Sequence, residues 1–364
     1  HRDLHSFPTR RSSDLEVEIW KIRMLGLRLT GWKMINQKEV RAWQTGTECL
    51  WKGEGVWTTD DKNNPVLINP YYFSEVNGEP VDFSSNYLKP FINRFSAAVR
   101  KVDEDAIIFI EGVPEFPLPA WTDEDAQEIV NSTHWYDGVT LLTKNFNPNF
   151  TLDTDRMKIV YGKRNVRKAF FQQLNRIKND SFTKLGNVPT VIGEFGVPFD
   201  LNNKRAYKSG DYSSQSEALD LYYQIIEELF LDSTIWNYTF DNTNERGDLW
   251  NDEDLSIFSR DQQADPGNIY SGGRALNPII RPYLRILSGN PIKQSFDFRR
   301  KEYTLLFEDE NDGELVVFIP DFQYPRGFRI EFENGKWEMN TAEQELHVDY
   351  HGAIGHQILR ILPK

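Results

Sequence analysis

Four short apolar segments, separated by segments of helical periodicity, most constrain how this 364-residue chain can fold. These candidate strands, each with the composition of a strand buried on both faces, are residues 106–112, 136–142, 189–196 and 233–240. The helices predicted between them cover residues 123–133, 165–180 and 213–231. Alternating buried strands and helices are typical of parallel βα units. We therefore predict an α/β fold, the C-terminal half of a (β/α)8 TIM barrel.

The clearest helical pattern is the segment 213–231. Either Ser213 or Ser214 could cap its first turn. One apolar stripe then follows at helical spacing, formed by Leu219, Tyr222, Tyr223, Ile226 and Leu229. A further helix is predicted within residues 85–102, upstream of the first candidate strand.

From about Ala275 the pattern changes to short alternating runs. These runs cover residues 295–309, 314–322, 327–339 and 356–362, with turn residues "NDG" and "NGK" between some of them. They predict a small antiparallel β-sandwich. We expect residues 16–274 to form the partial barrel and residues 275–364 the C-terminal sandwich domain.

The first fifteen residues, "HRDLHSFPTRRSSDL", begin like a protein-kinase catalytic loop. The pattern H-R-D-L-x-x-x-N requires Asn where this chain has Pro8, which argues against a kinase. The whole segment is similar to a common sequencing adapter translated in one frame, so we exclude it from the analysis of the fold. We expect, on this basis, that an upstream part of the natural protein is missing.

Composition excludes some classes of partner. The net charge of −13 argues against a nucleic-acid groove, which requires clustered basic residues. A single cysteine, Cys49, cannot form a disulfide within the chain. No apolar run approaches the ~20 residues of a membrane span. The ten tryptophans suit either core packing or sugar stacking, and the localisation stays open.

The segment "VIGEFG" places Glu194 at the C-terminal end of a predicted strand. Active sites of (β/α)8 barrels lie at that end, and glycoside hydrolysis uses two carboxyl groups on either side of the scissile bond. Glu194 is therefore a candidate nucleophile. The alternative is a structural glutamate paired with a neighbouring basic side chain.

Two further segments strengthen the catalytic interpretation. In "HWYDG", His134 and Tyr136 are two residues apart and lie on one side of an extended chain, where they could orient Glu194. Trp236, in the last candidate strand, could support a sugar ring with its indole face. Each feature has a structural alternative, but all three at the ends of successive strands favour a carbohydrate site.

This order of motifs resembles glycoside hydrolase family five. The segments 236–259 and 275–298, with their "GDLWN" and "RPY" motifs, resemble its branch of glucosylceramide and steryl-glucoside β-glucosidases, which is related to the endoglycoceramidases. The resemblance covers roughly residues 40–364. It implies a retaining β-glucosidase that hydrolyses the glucosidic bond of glycolipids, with no metal or organic cofactor.

The resemblance also implies roles for individual residues. Glu194 would be the nucleophile, Tyr136 its hydrogen-bond donor and Trp236 the floor of the glucose subsite. His134 would contact the sugar or the acid/base residue. The remaining candidates for substrate binding are Glu111, Asp248, Trp250 and Asn251.

One departure from the family concerns its acid/base glutamate, which lies in an Asn-Glu-Pro motif. That motif is absent, since the similar segment "NGEP" has Gly78 inserted. We expect the acid/base glutamate to lie in the missing upstream part. Without it, this chain should be inactive on its own. Two alternatives remain: an endoglycoceramidase that releases an oligosaccharide, and a non-catalytic glycan-binding module. A transient contact with a membrane surface is a further expectation; Phe322 and Tyr324 could provide it, although packing in the core is the favoured use of these two aromatic side chains.

Overall fold

The computed structural model describes most of the chain beyond residue 15. The described residues are 16–23, 26–35, 43–44, 46–113, 116–249, 253–309, 312–350 and 355–364. The segment similar to a sequencing adapter lies outside them. The chain divides into two compact units, residues 1–88 and 89–364. Within the described residues, no helix combines the length and apolar character needed to cross a membrane.

The first unit contains small antiparallel pairs of strands. Its elements are β1 (Glu16–Arg23), β2 (Gly26–Met34), α1 (Leu50–Gly53), β3 (Trp57–Thr59), β4 (Pro65–Leu67), β5 (Glu75–Val76), β6 (Glu79–Pro80) and a π-helical turn (Ser84–Leu88). β1 pairs with β2, β3 with β4, and β5 with β6. Cys49, Val56 and Trp57 form a small buried cluster. The "NGEP" segment is an exposed hairpin here, so nothing in its local structure resembles the end of a buried barrel strand.

The second unit begins with helices and short parallel strands. The elements up to residue 279 are α2 (Lys89–Val99), β7 (Ile108–Ile110), β8 (Ile129–Asn131), α3 (Gly138–Thr143), β9 (Phe150–Asp153), β10 (Lys158–Tyr161), α4 (Lys163–Thr183), β11 (Val191–Phe195), α5 (Leu201–Ser209), α6 (Ser213–Glu228), β12 (Asp232–Ile235) and α7 (Leu276–Ile279). β7 pairs with β8, and β11 with β12, both in parallel. A parallel bridge between Asn131 and Thr190 joins the two pairs. The fold class is α/β.

One predicted strand was misplaced. The segment 136–142 is not a strand, because the Asp137 side chain accepts a hydrogen bond from the Thr140 amide and caps α3. The strand lies earlier, at β8, within the segment 123–133 that was predicted to be helical. That helix does not form: the Asp125 carboxylate holds a turn by accepting from the Thr122 amide, and Glu128 has a left-handed φ of 49°.

The two long helices are confirmed. α4 contains the predicted segment 165–180, and α6 buries Leu219, Tyr222 and Ile226 of the predicted stripe. Tyr223 is half-buried against the same core, and the buried Leu229 directly follows the helix. The capping prediction for α6 was wrong. Neither serine caps the helix; the Asp211 side chain accepts from the Ser213 amide instead.

The helices and strands share one apolar core. Its centre is formed by aromatic and branched side chains from α4, β11 and α6, including Phe170, Leu174, Ile192, Phe195 and Tyr222, each 1% exposed or less. Trp135 packs edge-on against Phe170 and Tyr222, with ring centroids 5.3 and 5.1 Å apart. The indole N–H of Trp135 donates to Gln173, 2.9 Å away, so the one polar atom of the ring is satisfied.

The rest of the second unit forms two antiparallel sheets. The strands are β13 (Tyr283–Leu287), β14 (Asn290–Asp297), β15 (Glu302–Asp309), β16 (Gly313–Phe318), β17 (Phe328–Glu331), β18 (Gly335–Asn340), β19 (Glu345–Tyr350) and β20 (Gly355–Pro363). One sheet has the order β13-β16-β19-β18 and the other β14-β15-β20-β17. Side chains from both sheets form a second core, including Tyr303, Phe307, Leu346 and Leu359, all at 0% exposure. Tyr324 belongs to this core at 5% exposure, which agrees with the favoured interpretation of core packing and excludes it as a membrane contact.

Arg281 joins the antiparallel sheets to α6. Its guanidinium forms two hydrogen bonds with Glu227, of 2.6 and 2.9 Å, and one of 3.1 Å with Asp220. The Phe296 amide donates to the same glutamate at 3.2 Å. All the charges at this junction are therefore paired.

Candidate active site

A β-bulge determines the direction of the Glu194 side chain. In the pairing of β11 with β12, Ile192 lies opposite Ser233 and Phe195 opposite Ile235, so Gly193 and Glu194 face a single residue of β12. Ile192 and Phe195 are consequently both buried at 0% exposure in the helix-facing core. Glu194 points elsewhere and keeps 23% of its side chain exposed. Bulges commonly redirect a side chain next to an active site.

The two glycines of "GEFG" lie where neighbouring backbone comes very close. A Cβ atom on Gly193 would be 2.2 Å from the Ser132 carbonyl oxygen, and one on Gly196 would be 2.3 Å from the Trp236 carbonyl oxygen. Real Cβ atoms do not make such contacts, so glycine is required at both positions. The motif is therefore explained by strand packing on both sides of Glu194.

The structure brings Glu194, Tyr136, His134 and Glu111 together. The Tyr136 hydroxyl donates to Oε1 of Glu194 at 2.6 Å. Nδ1 of His134 lies 3.5 Å from Oε2 of Glu194 and 3.1 Å from Oε1 of Glu111. His134 thus bridges two carboxylates that come from the ends of different strands. The prediction that His134 and Tyr136 lie on the same side as Glu194 agrees with this arrangement.

The protonation of two of these groups is perturbed. Burial raises the pKa of Tyr136 well above its ordinary value, and the hydrogen bond to Glu194 raises it further, so the phenol keeps its proton. Burial also raises the pKa of Glu111; the negative charge of Glu194 adds to this shift and His134 opposes it. Tyr136 can therefore only donate to Glu194, which leaves the second carboxylate oxygen available for chemistry.

The extension of β8 explains how Tyr136 and His134 reach this position. Beyond Asn131 the chain stays extended: the Gly193 amide donates to the Thr133 carbonyl at 3.3 Å, and the Trp135 amide to the Glu194 carbonyl at 2.9 Å. Since alternate residues of an extended chain share a side, Trp135 enters the core while its two neighbours point to Glu194.

Trp236 directly follows β12, beside the candidate nucleophile. Its amide donates to the Phe195 carbonyl at 2.8 Å, and its side chain is half-buried. The next residue, Asn237, donates from its side-chain amide to Oδ2 of Asp248 at 3.2 Å. The same oxygen accepts from the Leu255 amide at 3.1 Å. Asp248 is thus bonded to the residue that directly follows Trp236. Trp250 and Asn251 lie outside the described residues.

Sequence reasoning missed a group of three charged residues, Glu253, Lys144 and Asp200. Burial raises the pKa of Glu253, with the negative charge of Asp248 adding to the shift and Lys144 opposing it. Lys144 in turn forms an ion pair of 2.5 Å with Asp200. These residues belong to three separate loops, so no local motif could have grouped them. Among the residues with described positions, no set of three His, Cys, Asp or Glu side chains could hold a metal ion.

Comparisons with known proteins identify the relatives of this chain. Residues 281–361 match the glycoside hydrolase family 5 C-terminal domain. A glucosylceramidase from Rhizopus delemar is 31% identical, over 87% of this chain and 47% of that protein. An ergosteryl-beta-glucosidase from Saccharomyces cerevisiae is 33% identical, over 88% of this chain and 51% of that protein. The chain thus spans about half the length of these curated relatives.

Solved structures give the same result. Sterylglucosidase 1 from Cryptococcus neoformans, in a crystal structure with tris, superposes with a TM-score of 0.81 at 25% identity, over 97% of this chain and 57% of that one. Endo-glycoceramidase II from Rhodococcus sp. superposes with a TM-score of 0.51 at 17% identity, over 80% of this chain and 58% of that one, a likeness of fold alone. The resemblance to glycoside hydrolase family five, in its glucosylceramidase and steryl-glucosidase branch, is confirmed.

Proposed function

We propose that this chain is the C-terminal portion of a retaining β-glucosidase that hydrolyses glucosylceramide or steryl glucoside. The observation that carries the proposal is the Tyr136–Glu194 hydrogen bond of 2.6 Å at the C-terminal ends of parallel strands. A carboxylate held by a phenol and an imidazole at that end of the sheet suits a nucleophile in glycoside hydrolysis. The names of the relatives supply the class of lipid.

The architecture we propose is half of a (β/α)8 barrel, residues 16–274, followed by a β-sandwich, residues 275–364. Support comes from the parallel neighbours β7-β8 and β11-β12, joined through Asn131, and from the two four-stranded antiparallel sheets. The remaining barrel strands would come from the part of the relatives that this chain does not match. The same part would supply the acid/base glutamate.

The mechanism has two displacements. Oε2 of Glu194, the oxygen not engaged by Tyr136, attacks the anomeric carbon, while the bond from that carbon to the lipid oxygen breaks. The upstream carboxylic acid gives its proton to the departing oxygen, and the lipid alcohol leaves. The resulting carboxylate then removes a proton from water, whose oxygen attacks the anomeric carbon and releases Glu194. The anomeric configuration is retained.

The other residues would bind the sugar. Trp236 would lie under the glucose ring, and His134, bridging Glu111 and Glu194, would hold a hydroxyl near the reacting centre. Asp248 would accept from a hydroxyl farther along the ring. Trp250 and Asn251 are proposed for the same wall of the site on sequence grounds alone. The glycolipid would be met at a membrane surface, with Phe322 as a candidate contact.

The test uses the full-length enzyme, in which this chain is joined to its upstream half. We expect it to release β-glucose from glucosylceramide or steryl glucoside, as read by NMR before mutarotation. A 2-deoxy-2-fluoroglucoside with a good leaving group should label Glu194, located by peptide mapping. Glu194→Gln should abolish turnover, while the matched control Glu217→Gln, on α6 with 42% of its side chain exposed, should not.

Three results would contradict the proposal. Release of intact lactose from lactosylceramide would identify an endoglycoceramidase. Binding of glycolipid without turnover by the wild type would identify a binding module. Label on a different carboxylate would reject Glu194 as the nucleophile.

A further inference from the structure

Arg274 is the largest fully buried side chain among the described residues, at 0% exposure. Its guanidinium forms two hydrogen bonds with the Asp254 carboxylate, of 2.8 and 2.5 Å, and a third of 3.1 Å from Nε to the Ser256 carbonyl. The guanidinium carbon also lies 4.3 Å from the centre of the Phe199 ring. A buried ion pair contributes little net stability compared with apolar packing, so its geometry is the more informative property.

Asp254 connects the chain that follows β11 with the chain that follows β12. Its backbone carbonyl accepts from the Phe199 amide at 2.6 Å, and Phe199 lies five positions beyond Glu194. Its carboxylate also accepts from the Asn242 side chain at 2.9 Å and from the Tyr207 hydroxyl. Each oxygen of the Asp254 carboxylate thus accepts two hydrogen bonds, which fix its orientation.

The residues on each side of Asp254 lead directly to the candidate active site. On one side, the Leu255 amide donates to Asp248 at 3.1 Å and the Leu255 carbonyl accepts from the Asn237 amide at 3.2 Å. On the other side is Glu253, whose carbonyl accepts from the Asp248 amide at 3.2 Å. Burial and Glu194 are the main causes of the raised pKa of the Tyr136 hydroxyl. The negative charges of Asp248 and Glu253 raise it further, so both carboxylates lie close to Tyr136.

We propose that the Arg274–Asp254 pair is a positioning device that fixes Asp248 and Glu253 beside Tyr136 and Glu194, where they bind sugar hydroxyls. The inference rests on the proposed function and adds two things to it. Glu253 is assigned to the sugar site, and Arg274 controls the binding of the sugar without touching it. The charge of Arg274 is needed less than its planar shape, since only a guanidinium can make both bonds to Asp254 and the bond to Ser256.

The chain contains a matched control in Arg281. It is also a buried arginine, with a side chain 4% exposed, and it makes two hydrogen bonds to a buried carboxylate, Glu227. That pair joins α6 to the antiparallel sheets and has no described contact with the loops around Glu194. A change to lysine at either position removes the same kind of bond and should destabilise the fold similarly.

The experiment compares Arg274→Lys with Arg281→Lys in the full-length enzyme, assayed well below the lower of the two melting temperatures. Arg274→Lys should lower kcat/KM about tenfold or more, with a raised KM, because Asp248 and Glu253 bind the sugar before the reaction. Arg281→Lys should leave kcat and KM within about twofold of wild type. Glu253→Gln should raise KM and leave kcat unchanged. Equal loss in both arginine variants, or wild-type kinetics in folded Arg274→Lys, would overturn the proposal.

Hydrogen exchange gives a second measurement that needs no activity. Arg274→Lys should speed exchange at the Phe199 and Leu255 amides, which the Asp254 region protects, whereas Arg281→Lys should not. If the wild type has no glucosidase activity, the proposed function fails, and exchange still decides whether Arg274 orders these segments. Unchanged exchange would reject the positioning role. If Arg274→Lys does not fold, Asp254→Asn, which keeps the side-chain shape, takes its place with the same expected results.

Discussion

The hydroxyl of Tyr136 donates a 2.6 Å hydrogen bond to Oε1 of Glu194, and the two side chains come from adjacent parallel segments of the chain. The phenol keeps its proton because its pKa is raised well above the ordinary value by burial and by Glu194 itself. It therefore fixes the rotation of the carboxylate and leaves the second oxygen free for the attack proposed above.

We expect Tyr136→Phe to lower kcat/KM of the full-length enzyme about 10- to 100-fold, since a hydrogen bond to a charged group contributes about 1.5–3 kcal/mol. The measurement is steady-state hydrolysis of an aryl glucoside. The control is Tyr222→Phe, which removes a hydroxyl that donates to Asp137 at 3.2 Å in the core. That variant should change stability but not kcat/KM, and an equal kinetic loss in both would contradict the orienting role.

Gly196→Ala should disturb the site by contact with backbone. The new methyl group would be 2.3 Å from the Trp236 carbonyl oxygen, so either β11 or the segment after β12 must move. Overpacking of this kind costs about 1–3 kcal/mol, and the melting temperature should fall. Gly138→Ala is the control, since its Cβ would meet only a methyl carbon of Thr154 at 3.9 Å. Wild-type melting and activity in Gly196→Ala would show that the close approach is absent in solution.

Asp125 should make the stability of the second unit depend on pH in the acid range. Burial alone would raise the pKa of Asp125, but hydrogen bonds from Lys89, Asn93 and Thr122 outweigh it and lower the pKa to about 2. A carboxyl whose folded pKa is below its unfolded value stabilises the fold above the unfolded pKa, and this contribution is lost as pH falls towards the folded pKa.

The difference in unfolding free energy between wild type and Asp125→Asn should therefore be constant near neutral pH. It should shrink towards zero as the pH falls from about 4 to about 2. Urea unfolding at a series of pH values measures it. For Glu124→Gln, at an exposed neighbouring position, the difference in unfolding free energy from wild type should not change over this pH range. A gap that persists at about pH 2 would mean that the carboxylate is not paired as described.

The pair of Arg281 and Glu227 should show strong coupling. Arg281→Ala leaves a buried carboxylate without its partner, a change that typically costs about 3–5 kcal/mol. The double variant Arg281→Met/Glu227→Leu removes both charges and should be more stable than the single variant. Thermal unfolding of the three proteins tests this expectation. A double variant less stable than Arg281→Ala would show that the charges are needed as a pair.

Residues 16–364 expressed without the upstream half should not hydrolyse glucosylceramide or steryl glucoside. The proposed general acid would be missing, and its assistance is typically worth about 10²–10⁴-fold in rate. Phe109 within β7 and Ile107 just before it are 60% and 57% exposed. Among the described residues β7 pairs only with β8, so the fragment should also aggregate. Light scattering and the glucosidase assay measure both effects, and substantial activity would refute the assignment of a missing acid.

Much of the candidate site could be predicted from local sequence. "GEFG" and "HWYDG" identified Glu194, Tyr136 and His134, because a carboxylate between glycines and a polar pair two residues apart are local patterns. The misplaced strand shows the limit of such reasoning. "IVN" is too short to show a period of two, and the Asp137 cap is recognised only once the Thr140 amide is seen to bond to it.

The sequence by itself determined the long helices, the alternation of strand and helix, and the identity of the candidate nucleophile. These follow from periodicity and composition over neighbouring residues. Only the tertiary structure decided the bulge that turns Glu194, the close approach at Gly193 and Gly196, and the pairing of Arg274 with Asp254. Each of these depends on contacts between segments far apart in the chain, whose packing and hydrogen bonds leave no periodic trace in the sequence.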